Sequence, residues 1–254
     1  MLADERRAIL LRTLKDNGYI EVSEMAQSLN VSAATIRRDL KRLSREGLLI
    51  RTQGGAVLAA PSTTLEPPYD IKRRRHIEEK RRIAAAAVEM VRDGETIILD
   101  AGSTTYELAL LLLHKRNLTV VTNDLQIAVK LASNPNINLV CTGGVARAYV
   151  YTLLGPQVEA FLRTLRVNKT FLGADAIHED GTIANVNLKE VAVKQAMIHA
   201  GEQVIVVTDS SKFGITGFAR VCDFSEVDML ITDAGITQNA REMLKAWPVI
   251  VKIV

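Results

Sequence analysis

Residues 31–56 read VSAATIRRDLKRLSREGLLIRTQGGA, and this stretch decides the fold of the first part of the chain. Ser32 is a helix-capping residue type and Gly47 suits a left-handed helix end, so the pattern predicts a helix of about four turns between them. Ile36, Leu40 and Leu43 recur at spacings of four and three residues, which places them on one buried stripe. The predicted helix is therefore amphipathic, with its cationic side chains turned outward.

The outward face of this helix carries side chains suited to DNA. Long cationic side chains can contact phosphates and guanine edges, and small hydroxylated residues at the start of a helix allow close approach to the major groove. The candidates on the helix are Ser32, Thr35, Arg37, Arg38, Lys41 and Arg42. A basic helix face taken alone is typical of an ordinary solvated surface, so the neighbouring segments decide between the two interpretations.

Two further helices precede this one in the predicted order. Asp4 begins a helix that the Asn17–Gly18 pair closes, and Ser23 can cap a short helix that follows. Asn30 and Val31 then form a tight turn into the basic helix. Three helices with a tight second turn indicate a helix-turn-helix, whose last helix normally enters the major groove.

A glycine-tipped hairpin follows the basic helix. The segments LLIRT and AVLA flank Gln53-Gly54-Gly55, which predicts a strand, a turn and a second strand, the shape of a wing. Arg51 and Gln53 could contact the DNA backbone or minor groove from there. A plain hairpin that covers the small core explains these two side chains equally well.

Length and charge predict two domains. Residues 1–82 hold 17 Lys and Arg against 11 Asp and Glu, a net charge of +6, and the remainder has a net charge of −3. A basic first part is typical of a DNA-binding domain. We predict a winged helix-turn-helix domain over residues 1–58, a linker rich in proline and hydroxylated residues over 59–74, and an α/β effector-sensing domain over 75–254.

Composition argues against several other classes of protein. Two cysteines are too few for a disulfide framework, so we expect Cys141 and Cys222 to be reduced and mostly buried. The four histidines are scattered without metal-ligand spacing, and we expect no metal site and no cofactor. No signal peptide is evident and the longest apolar run, residues 108–113, is too short to span a bilayer, so we expect a cytoplasmic protein with no membrane partner.

A basic cluster, Lys72 to Arg75, follows the linker and is succeeded by Glu78, Glu79 and Lys80 to Arg82. Contact with a phosphate is one interpretation of this cluster. A surface helix stabilised by an i,i+4 pair between Glu78 and Arg82 is the favoured one.

From about residue 83 the chain alternates between helical segments and short apolar strands, which predicts a parallel sheet covered on both faces and a Rossmann-like α/β body. The predicted strands are TIILD (96–100), LTVVTN (118–123), INLVCTG (137–143), KTFLGAD (169–175), QVIVVTD (203–209), DMLITD (228–233) and VIVKIV at the end. Ligands of open α/β sheets bind beyond the carboxyl ends of the strands, so polar residues at those ends are candidates for a binding site.

The first strand end, Asp100 to Thr105, runs directly into a helix. Gly102 permits a tight turn, and Ser103, Thr104 and Thr105 add hydroxyl groups to the free N–H groups of a helix start. This loop can hold a phosphate, and it can equally be an ordinary helix cap.

Other strand ends supply further polar groups. Lys212 offers a cation that could neutralise a phosphate. Glu190 and Lys194 could clamp a ligand, but an i,i+4 pair within their helix is the favoured interpretation. Asp124 and Asp209 are expected to cap helices or turns. The remaining candidates are Thr122, Asn123, Gly143, Gly144, Gly173 and Asp175.

The string quoted at the outset resembles the signature of the DeoR-type family of bacterial regulators, which includes glycerol-3-phosphate repressors. The stretches LDAGSTT, VTN, TGG, FLGAD and DSSKFG also stand as that family's pattern expects, with Ala176 in place of a frequent glycine. The resemblance implies a winged helix-turn-helix that binds operator DNA. It also implies a second domain that resembles sugar-phosphate isomerases and senses a phosphorylated sugar.

The resemblance carries roles over to individual residues. Ser103, Thr104, Thr105 and Lys212 would hold the phosphate. The residues that would face the sugar are Asp100, Asn123, Asp175, Glu190 and Lys194.

We therefore expect a transcriptional regulator, in the first place a repressor of a carbohydrate-catabolism operon, with double-stranded operator DNA and a phosphorylated sugar as partners. A dimer or tetramer would present two reading helices to paired half-sites. Activation instead of repression stays open, because the same linkage runs in either direction. Isomerase-like catalysis, with Asp175 or Glu190 as base beside Lys194, is a minor alternative that leaves the DNA-binding head unexplained.

Overall fold

The computed structural model describes residues 2–46, 48–52, 54–58, 69–148 and 150–254. The chain divides into two compact units, residues 1–71 and 72–254.

The first unit is built on three helices: α1 (Ala3–Asn17), α2 (Val22–Ser28) and α3 (Ala33–Arg45). Gly18 ends α1 in the left-handed conformation, with its N–H donating to the carbonyl of Leu14 at 2.8 Å. Ser32 caps α3 as the sequence predicted, since its Oγ accepts from the Thr35 N–H at 3.2 Å. Leucine and isoleucine side chains from α1 and α3 form half of the buried core, namely Leu10, Leu14, Ile36, Leu40 and Leu43.

The wing has three strands where the sequence predicted two. β1 (Tyr19–Glu21), β2 (Leu49–Arg51) and β3 (Gly55–Leu58) form an antiparallel sheet in the order β1-β3-β2. A Cβ at Gly55 would lie 1.8 Å from the Ile20 carbonyl oxygen, so only glycine permits this approach of β1 to β3. The three residues of β1 are too few to show a strand period in the sequence.

One predicted helix cap of this unit is wrong, and two other predicted residues lie outside the described part of the chain. Ser23 does not cap α2, because the helix begins one residue earlier at Val22 and has no side-chain cap. Gly47, the predicted helix end, and Gln53, at the tip of the wing, both lie outside the described residues.

The predicted linker is described only in part. Residues 59–68 lie outside the described residues, whereas α4 (Tyr69–Arg74) is helical where the linker was expected to continue. His76, with φ of 51°, separates α4 from α5 (Ile77–Val88). The expected pair between Glu78 and Arg82 is wrong, because Arg81 binds Glu78 at 2.8 Å and Arg82 lies 3.9 Å from Glu79, both at a spacing of three.

The second unit is an α/β domain. In chain order its further elements are β4 (Thr96–Leu99), α6 (Ser103–Leu112), β5 (Leu118–Thr122), α7 (Leu125–Leu131), β6 (Ile137–Cys141), β7 (Val145–Ala146), β8 (Leu153–Leu154), α8 (Pro156–Arg163), β9 (Val167–Leu172), β10 (Ala176–Ile177), β11 (Thr182–Asn185), α9 (Leu188–Ala200), β12 (Gly201–Val207), β13 (Ala219–Asp223), β14 (Met229–Thr232), α10 (Gln238–Lys245) and β15 (Ile250–Ile253).

Seven of these strands form one sheet in the order β15-β14-β12-β9-β4-β5-β6, and every neighbouring pair is parallel. These are the seven strands that the sequence predicted. Ile97, Ile98 and Leu99 are consecutive and all fully buried, and because successive strand residues point to opposite faces, both faces of the sheet are covered. The predicted fold class, an α/β domain beside a winged helix-turn-helix, is confirmed.

The two cysteines differ in environment. Cys222 is buried, but Cys141 is exposed at the end of the edge strand β6, so the expectation of buried thiols is wrong for Cys141. Both are free thiols. Within the described ranges, no helix is long and apolar enough to cross a membrane, and no group of three or more metal-ligating side chains is present.

Candidate nucleic-acid interface and ligand site

The outer face of α3 is strongly cationic because the geometry of the helix separates its charges. Arg37, Arg38 and Lys41 are exposed, whereas Asp39, the only acidic residue of α3, points into the core. There it pairs with the buried Arg6 of α1 at 2.5 Å. The one negative charge of the helix is thus neutralised inside the domain, and the exposed face keeps its positive charge.

The other predicted DNA-contacting residues border this face. Ser32 and Thr35 share a hydrogen bond between their hydroxyl oxygens at 2.9 Å at the helix start. Arg42 is exposed and ion-paired with Glu46 at 3.1 Å, and Arg51 is exposed on β2. Gln53 lies outside the described residues, so its predicted contact stays a prediction.

In the α/β domain, Asp100 lies at the carboxyl end of the central strand β4 and is almost completely buried. The Nζ of Lys194, from α9, donates to Asp100 Oδ2 and also to the Gly173 carbonyl oxygen at 2.9 Å. The Gly173 N–H in turn donates to Asp100 Oδ2 at 3.0 Å. This ring joins the ends of β4 and β9 to α9, and it brings together three residues that the sequence predicted to share a site.

Asp175 lies two residues beyond Gly173 and is held by an unexpected partner. The Nζ of Lys72, from α4, lies 3.1 Å from Asp175 Oδ1, and the Val186 N–H donates to Oδ2 at 3.4 Å. Burial alone would raise the pKa of Asp175, but the ammonium groups of Lys72, Lys212 and Lys194 together lower it. Asp175 therefore stays a carboxylate surrounded by cations.

Sequence reasoning missed Lys72 as a member of the site. It placed Lys72 on a surface helix because basic runs near acidic residues usually pair within their own helix. One signal for Lys72 was present in the sequence. Contact with a phosphate was the other interpretation of the basic cluster that contains it.

Glu190 does not pair with Lys194, so the favoured i,i+4 interpretation is wrong. Its carboxylate instead forms an ion pair with Arg147 and accepts from Asn185 Nδ2 at 2.6 Å. Arg147 and Asn185 were also missed. They lie on segments whose short strands left no periodic pattern in the sequence.

The loop before α6 is shaped by residues from the end of β5. The Ala101 N–H donates to Asn123 Oδ1 at 2.9 Å, and the Gly102 N–H donates to Asp124 Oδ2 at 3.2 Å. Asp124 also caps α7, as predicted, by accepting from the N–H groups of Gln126 and Ile127 at 2.7 and 3.1 Å. Asn123 thus supports the loop through its side chain.

The start of α6 presents donors that helix geometry leaves unpaired. The first N–H groups of a helix have no partner within it, and those of Ser103 and Thr104 have no acceptor in the described part of the chain. Thr105 turns its hydroxyl back to the Gly102 carbonyl at 2.9 Å. The loop can therefore receive an anion through backbone N–H groups and the hydroxyls of Ser103 and Thr104.

Lys212 lies on a 3-10 helical turn, residues 210–212, that Asp209 caps as predicted. Its ammonium group makes no ion pair or hydrogen bond with any residue that the structure describes. Burial, together with the nearby ammonium group of Lys72, lowers the pKa of Lys212. Its surroundings hold the cations Lys72 and Arg75 and the carboxylates of Asp209 and Asp175. An ammonium group with no direct partner among the described residues can bind an anionic ligand.

The remaining predicted residues shape the backbone. Thr122 is fully buried, and its hydroxyl accepts from the Asp124 N–H at 3.1 Å. Gly143 and Gly144 follow the edge strand β6. At Gly144, with φ of +109°, a Cβ would lie 2.5 Å from the Val158 side chain. No hydrogen bond or ion pair joins these two glycines to the Asp100 ring within the described chain.

The described residues define a class: a winged helix-turn-helix with an outward cationic helix, in a chain that also carries a parallel α/β domain with polar strand ends. The model of a DeoR-like helix-turn-helix domain matches residues 6–62, and that of a DeoR C terminal sensor domain matches residues 75–234. The chain belongs to the DeoR family of transcriptional regulators.

Individual relatives agree with this assignment. The chain is 34% identical to a putative aga operon transcriptional repressor of Escherichia coli O157:H7 over 242 residues, which are 95% of this chain and 90% of the relative. It is 32% identical to the glycerol-3-phosphate regulon repressor of Escherichia coli K12 over 244 residues, 96% of each chain. Among solved structures, ribose 5-phosphate isomerase A from Methanocaldococcus jannaschii has a TM-score of 0.40 and 19% identity, covering 54% of each chain.

Proposed function

We propose that this protein represses a carbohydrate-catabolism operon and leaves its operator when a phosphorylated sugar binds at the strand ends of the α/β domain. The observation that carries the proposal is the coincidence of unpaired N–H donors at Ser103 and Thr104 with the unpaired ammonium group of Lys212 in a single α/β domain. The printed names of the relatives above, which include a glycerol-3-phosphate regulon repressor, support the same direction.

The DNA half of the proposal rests on α3. Its buried stripe fixes the helix on the core. Its exposed face offers Arg37, Arg38 and Lys41, while Asp39, the one acidic residue of the helix, is buried. Such side chains bind phosphates and guanine edges, and the small Ser32 and Thr35 let the helix start approach the groove. Arg42, which pairs with Glu46, and Arg51 of β2 are exposed and add to the cationic candidates.

The phosphate half rests on the loop from Gly102 to Thr105 and on Lys212. Backbone N–H groups at a helix start carry partial positive charge, and a lysine supplies a full charge, so a phosphate dianion satisfies both. Because Asn123 and Asp124 fix the loop through the N–H groups of Ala101 and Gly102, its donors are oriented before a ligand arrives.

Recognition of the sugar rests on the carboxylates of Asp100, Asp175 and Glu190. Each can accept hydrogen bonds from sugar hydroxyl groups in addition to those from its present donors. Lys194 holds Asp100, and Glu190 is positioned by Arg147 and Asn185. These pairs fix the direction of the acceptor oxygens, which is what discrimination between similar sugars requires.

We propose ligand sensing without catalysis. Asp175, one candidate base, has a lowered pKa because it faces three ammonium groups, and a carboxylate with a lowered pKa is a poor proton acceptor. Glu190, the other candidate base, is engaged by a guanidinium and an amide. Neither side chain is placed as an activated base.

We also propose that the protein acts as a dimer or tetramer. One recognition helix reads only a few base pairs, and two heads at fixed spacing read paired half-sites. Sedimentation of the full chain alone and with DNA would give the oligomeric state and the number of chains bound to each duplex.

A thermal-shift comparison of phosphorylated sugars with the same sugars lacking phosphate tests the ligand class. A ligand that binds only the folded state raises the apparent stability by about 3 kcal/mol at a hundredfold excess over Kd. We expect at least one sugar phosphate to raise Tm while its unphosphorylated sugar does not. The Lys212→Ala variant should lose this shift, and Lys189→Ala, which removes an exposed lysine of α9, should keep it.

The proposal is wrong if no member of a broad panel of sugar phosphates changes Tm. It is also wrong if sugars and their phosphates act alike, because the phosphate would then contribute nothing.

A further inference from the structure

Two consecutive residues of α4, Lys72 and Arg73, contact other elements of the α/β domain. Lys72 reaches Asp175, which follows the end of β9, at 3.1 Å. The guanidinium of Arg73 lies 3.6 Å from Glu107 and 4.4 Å from the ring centre of Tyr106, both on α6. Lys72 therefore contacts the segment after β9, and Arg73 contacts α6. The proposed ligand would lie between these two elements.

The end of α4 is fixed by a buried lysine. Lys80, from α5, donates its Nζ to the carbonyl oxygen of Arg75 at 2.5 Å and to that of Lys72. The pKa of Lys80 is lowered to about 8, chiefly by burial; the charges of Lys212, Lys72 and Arg75 also lower it, and Asp209 opposes them. The backbone of α4 is therefore held by the same charge cluster that contains Asp175.

This cluster has more cations than carboxylates. The charges of Lys80 and Lys212 interact with each other and with those of Lys72, Arg75 and Asp209. Asp175 interacts with Lys72, Lys194 and Lys212, and Lys194 interacts also with Asp100 and Glu190. Because like charges at close range repel one another, a bound anion would stabilise this cluster. Lys72 is the lysine of the cluster that lies on α4.

Helix α4, whose Lys72 contacts Asp175, spans the boundary between the two compact units. The boundary between the two compact units, after Ile71, falls inside α4. Lys72 and the α4 residues that belong to the first unit, 69–71, thus lie within one six-residue helix.

We propose that Lys72 binds the phosphate of the effector and that this exchange of partner, from Asp175 to phosphate, shifts α4 and carries effector binding to the DNA-binding unit. The inference rests on the proposed function and adds to it both a ligand-binding residue and the element that moves. Allostery of this kind requires that the ligand bind the two arrangements of Lys72 with different affinities.

The first test measures binding of inorganic phosphate to the full chain, followed as the concentration that gives half of the maximal rise in Tm. Lys72→Met should raise this concentration about tenfold, as expected for loss of one charge-assisted hydrogen bond. Lys72→Arg, which keeps the charge, should restore most of the binding. Arg74→Met makes the same charge change at an exposed residue of α4 and should have no effect.

The second test uses Asp175→Asn, which removes the present partner of Lys72 while keeping its size. Without the carboxylate, the ion pair that competes with phosphate for Lys72 is removed, so phosphate should bind about tenfold more tightly. The same variant, with no ligand present, should bind a duplex selected from a random pool by the wild-type chain less tightly than wild type does. A merely structural role for Asp175 predicts weaker binding of both partners.

The outcomes separate the two proposals. If wild type binds phosphate but Lys72→Met binds it equally well, or if Asp175→Asn keeps full DNA affinity, the role of α4 is overturned while the proposed function stands. If wild type responds to neither phosphate nor any sugar phosphate, the proposed function is overturned, and this inference with it.

Discussion

Lys194 of α9 and Asp100 at the end of β4 form a buried ion pair at the centre of the α/β domain. The same ammonium group reaches the Gly173 carbonyl, and the Gly173 N–H returns to Asp100, so the three residues satisfy one another. Although burial opposes it, the carboxylates of Asp100 and Glu190 raise the pKa of Lys194. Burial raises the pKa of Asp100, and the ammonium group of Lys194 opposes that rise. The pair fixes the ends of β4 and β9 against α9.

Lys194→Met should destabilise the α/β domain strongly. The variant leaves Asp100 as a buried carboxylate without its cation, and breaking such a pair costs about 3–5 kcal/mol in the free energy of unfolding. Urea unfolding followed by circular dichroism measures this difference. The double variant Lys194→Met with Asp100→Asn should recover part of the loss, because the unpaired charge is gone. Equal stability of wild type and Lys194→Met would show that the pair is not a structural element.

Arg37→Ala and Arg38→Ala should each weaken binding to a selected DNA duplex. Loss of a direct base contact costs about 1–3 kcal/mol, and loss of a phosphate contact reduces the salt dependence of binding. Fluorescence anisotropy at two salt concentrations distinguishes these cases. Arg12→Ala, at an exposed arginine of α1, is the matched control and should bind normally. Unchanged affinity in both α3 variants would remove α3 as the recognition helix.

Lys212→Ala, and separately Ser103→Ala with Thr104→Ala, should abolish release of DNA by the effector without weakening DNA binding itself. The Lys212→Ala substitution removes a cation from the proposed phosphate site. The double variant removes the hydroxyl groups of Ser103 and Thr104 but leaves the N–H groups of the helix. The readout is the DNA affinity with and without the sugar phosphate that gives the largest Tm shift for wild type. A normal response in both variants would mean that the phosphate binds elsewhere.

Asp124 should make stability depend on pH. Burial raises the pKa of Asp124 from an ordinary value of 3.8 to about 6. The folded chain thus holds this proton more tightly than the unfolded chain does. Its contribution to stability is full below about pH 4 and is lost as the pH rises through about 6.

Asp124→Asn cannot titrate and is the natural comparison. The free energy of unfolding of wild type minus that of the variant should fall by about 3 kcal/mol as the pH rises from 4 to 7. Denaturant unfolding at several pH values in this range measures it. A difference that does not change with pH would show that Asp124 has an ordinary pKa.

The large elements of this fold could be predicted from the sequence because each carries its own periodic pattern. The seven strands of the main sheet are apolar runs that need no neighbour to be recognised. The short elements could not, since the three residues of β1 and the two of β7 define no period. Their existence depends on partners that are distant in the chain.

Several members of the candidate site could be predicted, but Lys72, Arg147 and Asn185 could not, and neither could the pairs that the members form. Polar residues at strand ends indicated Asp100, Asp175 and Lys194, because parallel strands bring their carboxyl ends to one edge. Local spacing then suggested that Lys194 pairs with Glu190, whereas the fold gives Lys194 to Asp100 and Glu190 to Arg147. Contacts between residues 94 and 43 positions apart leave no signal in the spacing of a single sequence.

The central claim is that an anionic sugar bound in the α/β domain controls the affinity of the helix-turn-helix for DNA. Its most direct test is the Kd of the full wild-type chain for a selected duplex, measured by anisotropy at constant ionic strength with and without each sugar phosphate of the panel. We predict that the sugar phosphate giving the largest Tm shift raises this Kd by about five- to 150-fold, the usual range of allosteric coupling. A Kd that stays the same while that sugar phosphate saturates the protein would contradict the account.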